Sequence, residues 1–274
     1  MLSYRHGFHA GNLADVFKHS TLTAVLDAAI TKSAPLAYID THAGAGLYSL
    51  GDEGEHCSGV APLRAHSRDA MPHSVGRYLD CVGSFNTTSS IRRYPGSAMI
   101  AARLLRESDR LLLCERHPAD HATLSDTLRA DPRVQIECTD GYAQLKAALP
   151  PRERRGVILI DPAYELADEP TQLVDALQSA FARFGHGVFL IWYPLHGKHD
   201  PAALKRRYKR LRPPKTLNIE LDPREPTSRG ATGSGLLIVN PPYQAVAEIE
   251  SLTAFLGRTL ARDGHNSCEW LVPE

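Results

Sequence analysis

Apolar residues in this chain gather in short continuous runs, separated by longer stretches in which they recur at helical spacing. Runs rich in β-branched residues predict strands buried on both faces, as in parallel sheets whose strands alternate with helices. The runs that read as strands are residues 36–40, 110–115, 134–138, 157–160, 187–194, 216–221 and 236–240. The glycine-rich stretch 228–235 joins the last two and is too short for a crossover helix, so these two predict an antiparallel hairpin. The pattern predicts an α/β protein with a mostly parallel seven-stranded sheet and an antiparallel last strand.

The polar stretches between the predicted strands carry helix signals. Asn12, with Asp15 three residues later, predicts the N-cap of a first helix that runs to about Ile30. Its apolar stripe contains Leu13, Val16, Phe17 and Leu26. Further helices are predicted over 96–105, from 118 onward, over 171–184 and over 246–256.

The segment 51–95 interrupts this alternation. It is rich in Gly, Ser, His and Arg and contains only helical fragments such as 77–82. We interpret it as a small, mostly helical insertion subdomain. Residues 1–50 and 96–274 then form one main domain, which includes an N-terminal arm and helix within residues 1–31.

Composition describes an ordinary soluble globular protein, with 43% hydrophobic and 23% charged residues among 274. Lys+Arg and Asp+Glu balance at 31 each, so any affinity for nucleic acid must be local. No apolar run approaches the ~20 residues of a membrane span, and the N-terminus lacks the apolar core of a signal peptide. The cysteines are few and scattered, without a CxxC pair, which predicts neither a disulfide framework nor a zinc ribbon. A reducing cytoplasm is therefore the expected location.

One local charge cluster stands out. Residues 201–215 hold seven basic residues and no acid, with Tyr208 among them. A basic helix with an interleaved aromatic residue suits a phosphate backbone. A solvated helix face is an equally good interpretation of the same residues.

A glycine-rich turn follows the first predicted strand, in the order Asp40-Thr41-His42-Ala43-Gly44-Ala45-Gly46. Such a turn lets the backbone approach a nucleotide-like ligand. A dinucleotide fingerprint would need a glycine where Ser49 stands, whereas an acid before Gly-x-Gly is usual in S-adenosyl-L-methionine (SAM) methyltransferases. Glu115, at the end of the second strand, can accept bonds from a ribose or can cap the next helix. The loop 139–142 after the third strand is where such a fold would read an adenine.

The fourth predicted strand ends at Asp161-Pro162-Ala163-Tyr164. These residues are close to the Asp/Asn-Pro-Pro-Tyr signature of enzymes that methylate exocyclic amines of nucleobases, although an Asp that merely caps a helix is the plainer interpretation. Residues 240–243 spell Asn-Pro-Pro-Tyr letter for letter. They follow the seventh predicted strand, however, and not the fourth, where a topological switch opens a crevice. We therefore assign the catalytic role to Asp161.

The N-terminal stretch Tyr4–His19 contains histidines, aromatic residues and a lysine with no evident core to serve. His6 and His9 have a spacing that fits some metal sites, but no carboxylate or thiol completes a ligand set nearby. An arm that contacts substrate or cofactor is the favoured interpretation, and no metal is expected.

Taken together, these pieces resemble the bacterial 23S ribosomal RNA (adenine-N6)-methyltransferase J family. The resemblance covers nearly the whole chain and is most specific in the N-terminal arm. It rests on residues 4–19, 40–46, 96–97, 115, 140–141, 161–165, 233–235 and 240. One letter departs from the family pattern, because Ala163 stands where the second proline is usual.

The resemblance implies a Rossmann-like SAM-dependent methyltransferase that modifies the adenine at position 2030 of 23S rRNA. It implies Asp161 as the catalytic residue, with Pro162 and Tyr164 beside it, and substrate contacts from Tyr4, His6 and Tyr164. It implies cofactor contacts from Lys18, His19, His42, Gly44, Ser97, Glu115, Asp140, Gly141 and Asp161. A monomer without metal or membrane contact is expected. The alternatives are a DNA adenine-N6 methyltransferase and a non-catalytic protein that binds RNA or nucleotides.

Overall fold

A computed structural model describes residues 9–88, 90–198, 200–223, 233–261 and 264–273. Its helices are α1 (Leu13–Ile30), α2 (Val60–Leu63), α3 (His73–Gly83), α4 (Ser97–Leu104), α5 (Pro118–Leu128), α6 (Gly141–Ala148), α7 (Glu169–Phe184), α8 (Pro201–Arg210) and α9 (Tyr243–Leu260). Its strands are β1 (Ala37–Asp40), β2 (Leu47–Ser49), β3 (Arg93–Pro95), β4 (Arg110–Cys114), β5 (Val134–Glu137), β6 (Gly156–Ile160), β7 (Val188–Pro194), β8 (Thr216–Asp222), β9 (Ser234–Val239) and β10 (His265–Val272).

The described strands form an eight-stranded sheet in the order β10-β8-β9-β7-β6-β1-β4-β5, and β2 pairs separately with β3. The neighbours from β7 to β5 are parallel, while β9 is antiparallel to both β7 and β8, and β10 is antiparallel to β8. The parallel sheet, the position of each predicted strand and the β8–β9 hairpin are confirmed.

The predicted number of seven strands is wrong, because β10 adds an eighth at the sheet edge. Its residues, His-Asn-Ser-Cys-Glu-Trp-Leu-Val, are polar over the first half and exposed or half-buried throughout. An edge strand of this kind lacks the continuous apolar run by which buried strands are recognised.

Side chains of β1 and β6 pack alternately into two apolar clusters, one on each face of the sheet. Tyr38 and Leu159 point to an apolar cluster that contains α1, α4 and α9. Ile39 and Ile158 point to a second cluster that contains α6, α7 and α8. Alternate residues of a strand face opposite sides of a sheet, so every position of β1 and β6 is buried.

The register of the central strands brings three acids to one edge. Asp40, the last residue of β1, lies beside Leu113 of β4 and Leu159 of β6. Glu115 and Asp161 each follow two residues later along parallel neighbours. Their side chains therefore meet at the carboxyl edge, where open α/β sheets bind ligands.

The segment 51–95 contains α2, α3, two short 3-10 turns, Glu55–Cys57 and Arg68–Ala70, and at its end the short strand β3. It lies against α1 and α9, where Arg77 pairs with Asp27 at 3.2 Å and Ser74 donates to Glu248 at 2.7 Å. Tyr78 joins the apolar cluster of α1. The division into a main domain and an insertion subdomain stays a prediction.

Within the described residues no helix is both long and apolar enough to cross a membrane. All five cysteines are free thiols: Cys57, Cys81, Cys114, Cys138 and Cys268.

Candidate active site

A cavity of about 420 Å³ opens at the carboxyl edge of the sheet. It is bounded by the start of α1 and by the loops that follow β1, β4, β5, β6 and β7. This size and place are those of a small-molecule site in an open α/β sheet. Every described residue to which the sequence assigned a role lines it: Lys18, His19, His42, Gly44, Ser97, Glu115, Asp140, Gly141, Asp161, Pro162 and Tyr164.

Asp161 is held by a lysine from the first helix. Lys18 Nζ lies 2.5 Å from Asp161 Oδ2 and 3.0 Å from Asp15 Oδ1. Burial by itself lowers the pKa of the Lys18 ammonium, but the two carboxylates outweigh it and raise that pKa above its ordinary value. The ammonium is therefore charged and bridges the carboxylates. Asp161 Oδ1 accepts no bond from the described part of the chain, so it can receive one from a ligand.

Two aromatic rings lie beside Asp161. Tyr164 has a left-handed φ of 54°, which turns its side chain inward so that it is 7% exposed. Its hydroxyl donates to Trp192 O at 3.1 Å, and the two rings meet edge to face at 5.7 Å. Lys18 Nζ lies 5.9 Å from the centre of the Trp192 ring, within cation–π range. The carboxylate, the ammonium and the rings thus form one wall of the cavity.

The glycine turn after β1 is joined to Glu115. Gly44 has a φ of 62°, and its N–H donates to Glu115 Oε2 at 2.8 Å. Glu115 Oε1 accepts the N–H of His117, the N-cap residue of α5, at 2.6 Å. Burial raises the pKa of Glu115, and the two backbone bonds oppose that rise. Glu115 therefore braces the turn and the start of α5 while it lines the cavity, so both interpretations of this residue have a structural basis.

Asp40, the last residue of β1, is a fully buried acid that accepts three hydrogen bonds beneath the cavity. Its Oδ2 accepts bonds from Tyr38 at 2.8 Å and Ser97 at 2.7 Å, and its Oδ1 accepts the His42 N–H at 3.2 Å. Burial, opposed by these bonds, raises the pKa of Asp40 to about 6. Ser97 is thereby fixed at the first position of α4 and faces the cavity.

The loop after β5 approaches the loop after β1 very closely. A Cβ on Gly141 would lie 2.0 Å from Thr41 O, so only glycine fits there. Asp140 caps α6 by accepting the N–H groups of Tyr142 at 3.0 Å and Ala143 at 3.1 Å. The close approach places Asp140 in the cavity wall opposite the glycine turn.

His42 and His19 are both tied to hydroxyls. His42 Nδ1 lies 2.7 Å from Thr41 Oγ1, and burial lowers the pKa of His42 to about 4. His19 Nδ1 lies 2.8 Å from the hydroxyl of Tyr94, which lies 3.0 Å from that of Tyr78. Both tyrosines belong to the insertion, so that segment helps to orient a residue of the cavity.

The second Asn-Pro-Pro-Tyr copy lies at the opposite edge of the sheet. Because β9 is antiparallel to β7, its last residue Val239 pairs with Phe189 at the start of β7. Asn240 Nδ2 donates to the carbonyls of Gly185 and Gly187, both at 2.9 Å, and thereby holds the α7–β7 loop. Tyr243 is 92% exposed. None of the residues 240–243 lines the cavity.

The basic segment 201–215 contains α8 and the turn after it. Tyr208 is buried, and its hydroxyl lies 2.6 Å from Thr216 Oγ1, so it anchors the helix and is not an exposed aromatic. Lys205 pairs with Glu220 at 2.6 Å. The exposed cations of this segment are Arg206, Arg207, Lys209, Arg210 and Arg212.

Tyr4 and His6 lie outside the described residues. Sequence reasoning missed Asp15, Trp192 and Glu55, which the structure connects to the site. The spacing of Asp15 and Lys18, one helical turn apart, was a signal for a pair on one helix face. No pattern in the neighbouring sequence indicated a role for Glu55.

The cavity suits SAM on two observations. The Gly44 and Gly141 backbones line it at positions where a Cβ would collide with Tyr48 or Thr41, and two acids, Glu115 and Asp140, face it from adjacent strand ends. Such acids are suited to a ribose and to an adenine amine. Fold and site together define the class, a Rossmann-like SAM-dependent methyltransferase.

The chain belongs to the family described as "Ribosomal RNA large subunit methyltransferase D, RlmJ", whose model matches residues 33–272. It is 39% identical to Ribosomal RNA large subunit methyltransferase J of Escherichia coli (strain K12) and 38% identical to that of Haemophilus influenzae, over the full length of each chain. A crystal structure of a Legionella pneumophila protein is 36% identical, with a TM-score of 0.89 over 96% of this chain and 98% of that one.

Proposed function

We propose that this protein transfers a methyl group from SAM to N6 of one adenine in 23S rRNA, at position 2030. The observation that carries the proposal is the Asp161 carboxylate at the end of β6, held by Lys18 beside two aromatic rings in a cavity suited to SAM. Family membership and the names of the relatives support the same reaction.

The residues that would hold SAM are those of the cavity: Lys18, His19, His42, Gly44, Ser97, Glu115, Asp140, Gly141 and Asp161. When bound, SAM supplies an electrophilic methyl group. Glu115 would accept the ribose hydroxyls, and Asp140 with Gly141 would receive the adenine of the cofactor. Burial lowers the pKa of His42 to about 4, so His42 is neutral at pH 7 and adds no positive charge to the cavity that would hold the cationic cofactor.

The target adenine must leave its stack to reach the cavity, which costs a few kcal/mol and less where the base is unpaired. Tyr164 would stack on the flipped ring, and Tyr4 and His6 would contact the substrate. Trp192 supports Tyr164 from behind through the hydroxyl bond and the edge-to-face contact.

Asp161 and the Pro162 carbonyl would accept the two N–H bonds of the adenine amine. These bonds would draw the nitrogen lone pair out of conjugation with the ring, so that it becomes available to attack the methyl group. Because Lys18 occupies Asp161 Oδ2, Oδ1 is the oxygen that would accept the amine N–H, and then its proton as the methyl passes from sulfur to N6 and S-adenosylhomocysteine is left. Ala163 leaves the Pro162 carbonyl in place, and its own N–H is the only group that a second proline would remove.

The exposed cations of α8 offer a contact for the RNA backbone. Arg207 donates to Thr171 at 2.7 Å, and Gln172, the next residue of α7, lines the cavity. The loop 196–198 lines the cavity as well and leads into α8. The basic helix thus begins at the rim of the cavity and suits a phosphate backbone that enters with the target base.

Asp161→Ala tests the proposal. We expect the variant to lose transfer of tritiated methyl from SAM to protein-free 23S rRNA, by at least about 100-fold, which is the lower end for a general base. It should still bind SAM by calorimetry. Asn240→Ala is the matched control and should stay active. Full activity of Asp161→Ala together with loss in Asn240→Ala would transfer the catalytic role to the second motif.

The substrate is tested separately. Mass spectrometry of 23S rRNA from cells with and without the protein should show N6-methyladenosine at one position only when the protein is present. Methylation of duplex DNA in preference to protein-free 23S rRNA would favour a DNA methyltransferase. Failure to bind SAM would favour a non-catalytic binding protein.

A further inference from the structure

Glu55 is a buried acid of the insertion that touches the residues just before α1. Its Oε2 lies 3.0 Å from His9 Nδ1 and accepts a bond from Asn12 Nδ2 at 2.9 Å. The carboxylate side chain is 8% exposed, and Oε1 is buried without a partner among the residues that the structure describes. Burial alone would raise the pKa of Glu55, but the contacts with His9 and Asn12 lower it, so the carboxylate depends on the residues before α1.

The backbones of the two segments also approach each other closely around these contacts. Val60 N donates to Gly11 O at 2.9 Å, and a Cβ on Gly59 would lie 2.1 Å from the same oxygen. Gly11 has a φ of 79°, a conformation that glycine adopts without strain. Residues 55–60 of the insertion therefore hold residues 9–12 in place, and we call this set of contacts the grip.

From this grip a continuous series of bonds leads to the candidate catalytic carboxylate. Asn12 Oδ1 accepts the Asp15 N–H at 2.9 Å and caps α1, and Asp15 Oδ2 accepts the Gly11 N–H at 2.9 Å. Asp15 Oδ1 binds Lys18, and Lys18 binds Asp161. His9 and Asn12 themselves line the cavity. A shift at residues 9–12 would thus be transmitted to Lys18 and to the cavity wall.

We propose that Glu55 is a positioning residue for methyl transfer: by accepting bonds from His9 and Asn12 it sets the start of α1, and through Asp15 and Lys18 the placement of Asp161. This inference rests on the proposed function. It also gives the insertion a role in catalysis in addition to any contact with RNA.

The test compares Glu55→Ala with Glu55→Gln. Alanine removes the acceptor, whereas glutamine keeps one oxygen for both donors. We expect Glu55→Ala to lower kcat by about 10- to 100-fold, since misplacement by about 1 Å can cost 100-fold. The affinity for SAM by calorimetry should fall by a smaller factor than kcat, because only Lys18, His19 and Asp161 among the nine proposed cofactor contacts are Asp161 itself or lie on α1. Glu55→Gln should recover most of kcat. Asp52→Ala removes an exposed acid from the same segment and is the matched control.

A substrate-independent measurement accompanies the kinetics. Amide hydrogen exchange over residues 9–18 should accelerate in Glu55→Ala and stay near wild type in Asp52→Ala. The inference is overturned if Glu55→Ala keeps kcat within about twofold, if glutamine fails to restore it, or if lost activity only tracks lost folded protein by circular dichroism. If the wild type were inactive on rRNA, the proposed function would be contradicted instead. The amide hydrogen-exchange data would still show whether Glu55 holds residues 9–12.

Discussion

Lys18 is the residue on which the candidate site depends most. It is 4% exposed and neutralises two acids from different parts of the chain, the buried Asp15 and the half-buried Asp161. Removing one member of such a buried group leaves the others uncompensated, which typically costs about 3–5 kcal/mol. The arrangement also fixes which oxygen of Asp161 can face a substrate. A substitution at Lys18 would therefore combine a loss of stability with a misplaced carboxylate.

The charge state of His42 gives a prediction at the residue scale. Burial lowers its pKa to about 4, against opposition from Asp161 and Asp140, so the imidazole should be neutral from pH 8 to pH 5.5. The unfolded chain binds this proton near pH 6.5 and the folded chain only near pH 4. His42 therefore contributes a stability that is present above pH 6.5 and is lost as the pH falls toward 4.

The measurement is an NMR titration of the imidazole carbon signals, with His42→Asn to assign the peak. The His42 signal should stay unshifted down to pH 5.5. A midpoint between pH 6 and 7 would contradict the burial argument.

At the scale of elements, α8 combines an anchored face with a charged one. Leu204 and Tyr208 are buried against the second apolar cluster, while four cations of the helix are exposed. Tyr208 therefore takes no part in RNA stacking, and any contribution of α8 to binding must be electrostatic. Such binding depends steeply on salt because neutralised phosphates release counterions.

Replacing those cations with neutral residues tests whether α8 contributes to RNA binding. A variant with alanine at Arg206, Arg207, Lys209 and Arg210 should bind 23S rRNA more weakly. The slope of log affinity against log salt should fall by about 0.7–0.9 for each phosphate that the variant no longer neutralises. The SAM affinity should not change. Lys205 is left in place because it pairs with Glu220.

The matched control makes the same charge change on other exposed positions: Lys32, Arg103, Arg129 and Arg258. An equal loss of affinity in both variants would show that net charge is responsible. Unchanged binding in the α8 variant would mean that α8 is a solvated face.

At the scale of the whole molecule, the site exists only when distant parts of the chain meet. The walls of the cavity come from α1, from the loops after five strands and from the start of α4. A ligand that contacts all of them binds the folded state and not the unfolded chain, so it stabilises the fold by mass action.

Thermal unfolding with SAM checks this coupling. At about 100 times Kd, SAM should add about 2.7 kcal/mol to the free energy of unfolding, with a corresponding rise in Tm by calorimetry. Asp161→Ala should show a similar rise, since most of the proposed cofactor contacts remain. No rise in the wild type would contradict SAM binding at this cavity.

Local sequence determined a large part of this protein. Continuous apolar runs predict β1, β4, β6, β7 and β9 because burial on both faces demands them, whereas β5 and β8 show alternating apolar and polar residues. Polar and glycine residues directly after those runs predict the cavity residues, because parallel strands bring their carboxyl ends to one edge. The edge strand β10 was not predicted, because an exposed strand does not need the continuous run of apolar residues by which buried strands are identified.

Strand order along the chain had already favoured Asp161, and only the tertiary structure showed that the two similar motifs lie at opposite edges of the sheet and which residues complete the cavity wall. Asp161 and Asn240 both follow buried strands and both precede proline, yet the antiparallel direction of β9 sends Asn240 to the far edge. Lys18 reaches Asp161 across 143 positions of the chain, and Glu55 reaches Asn12 across 43. Composition and spacing do not encode such meetings, because strand direction and the packing of separate elements determine which side chains come within a few ångströms of each other.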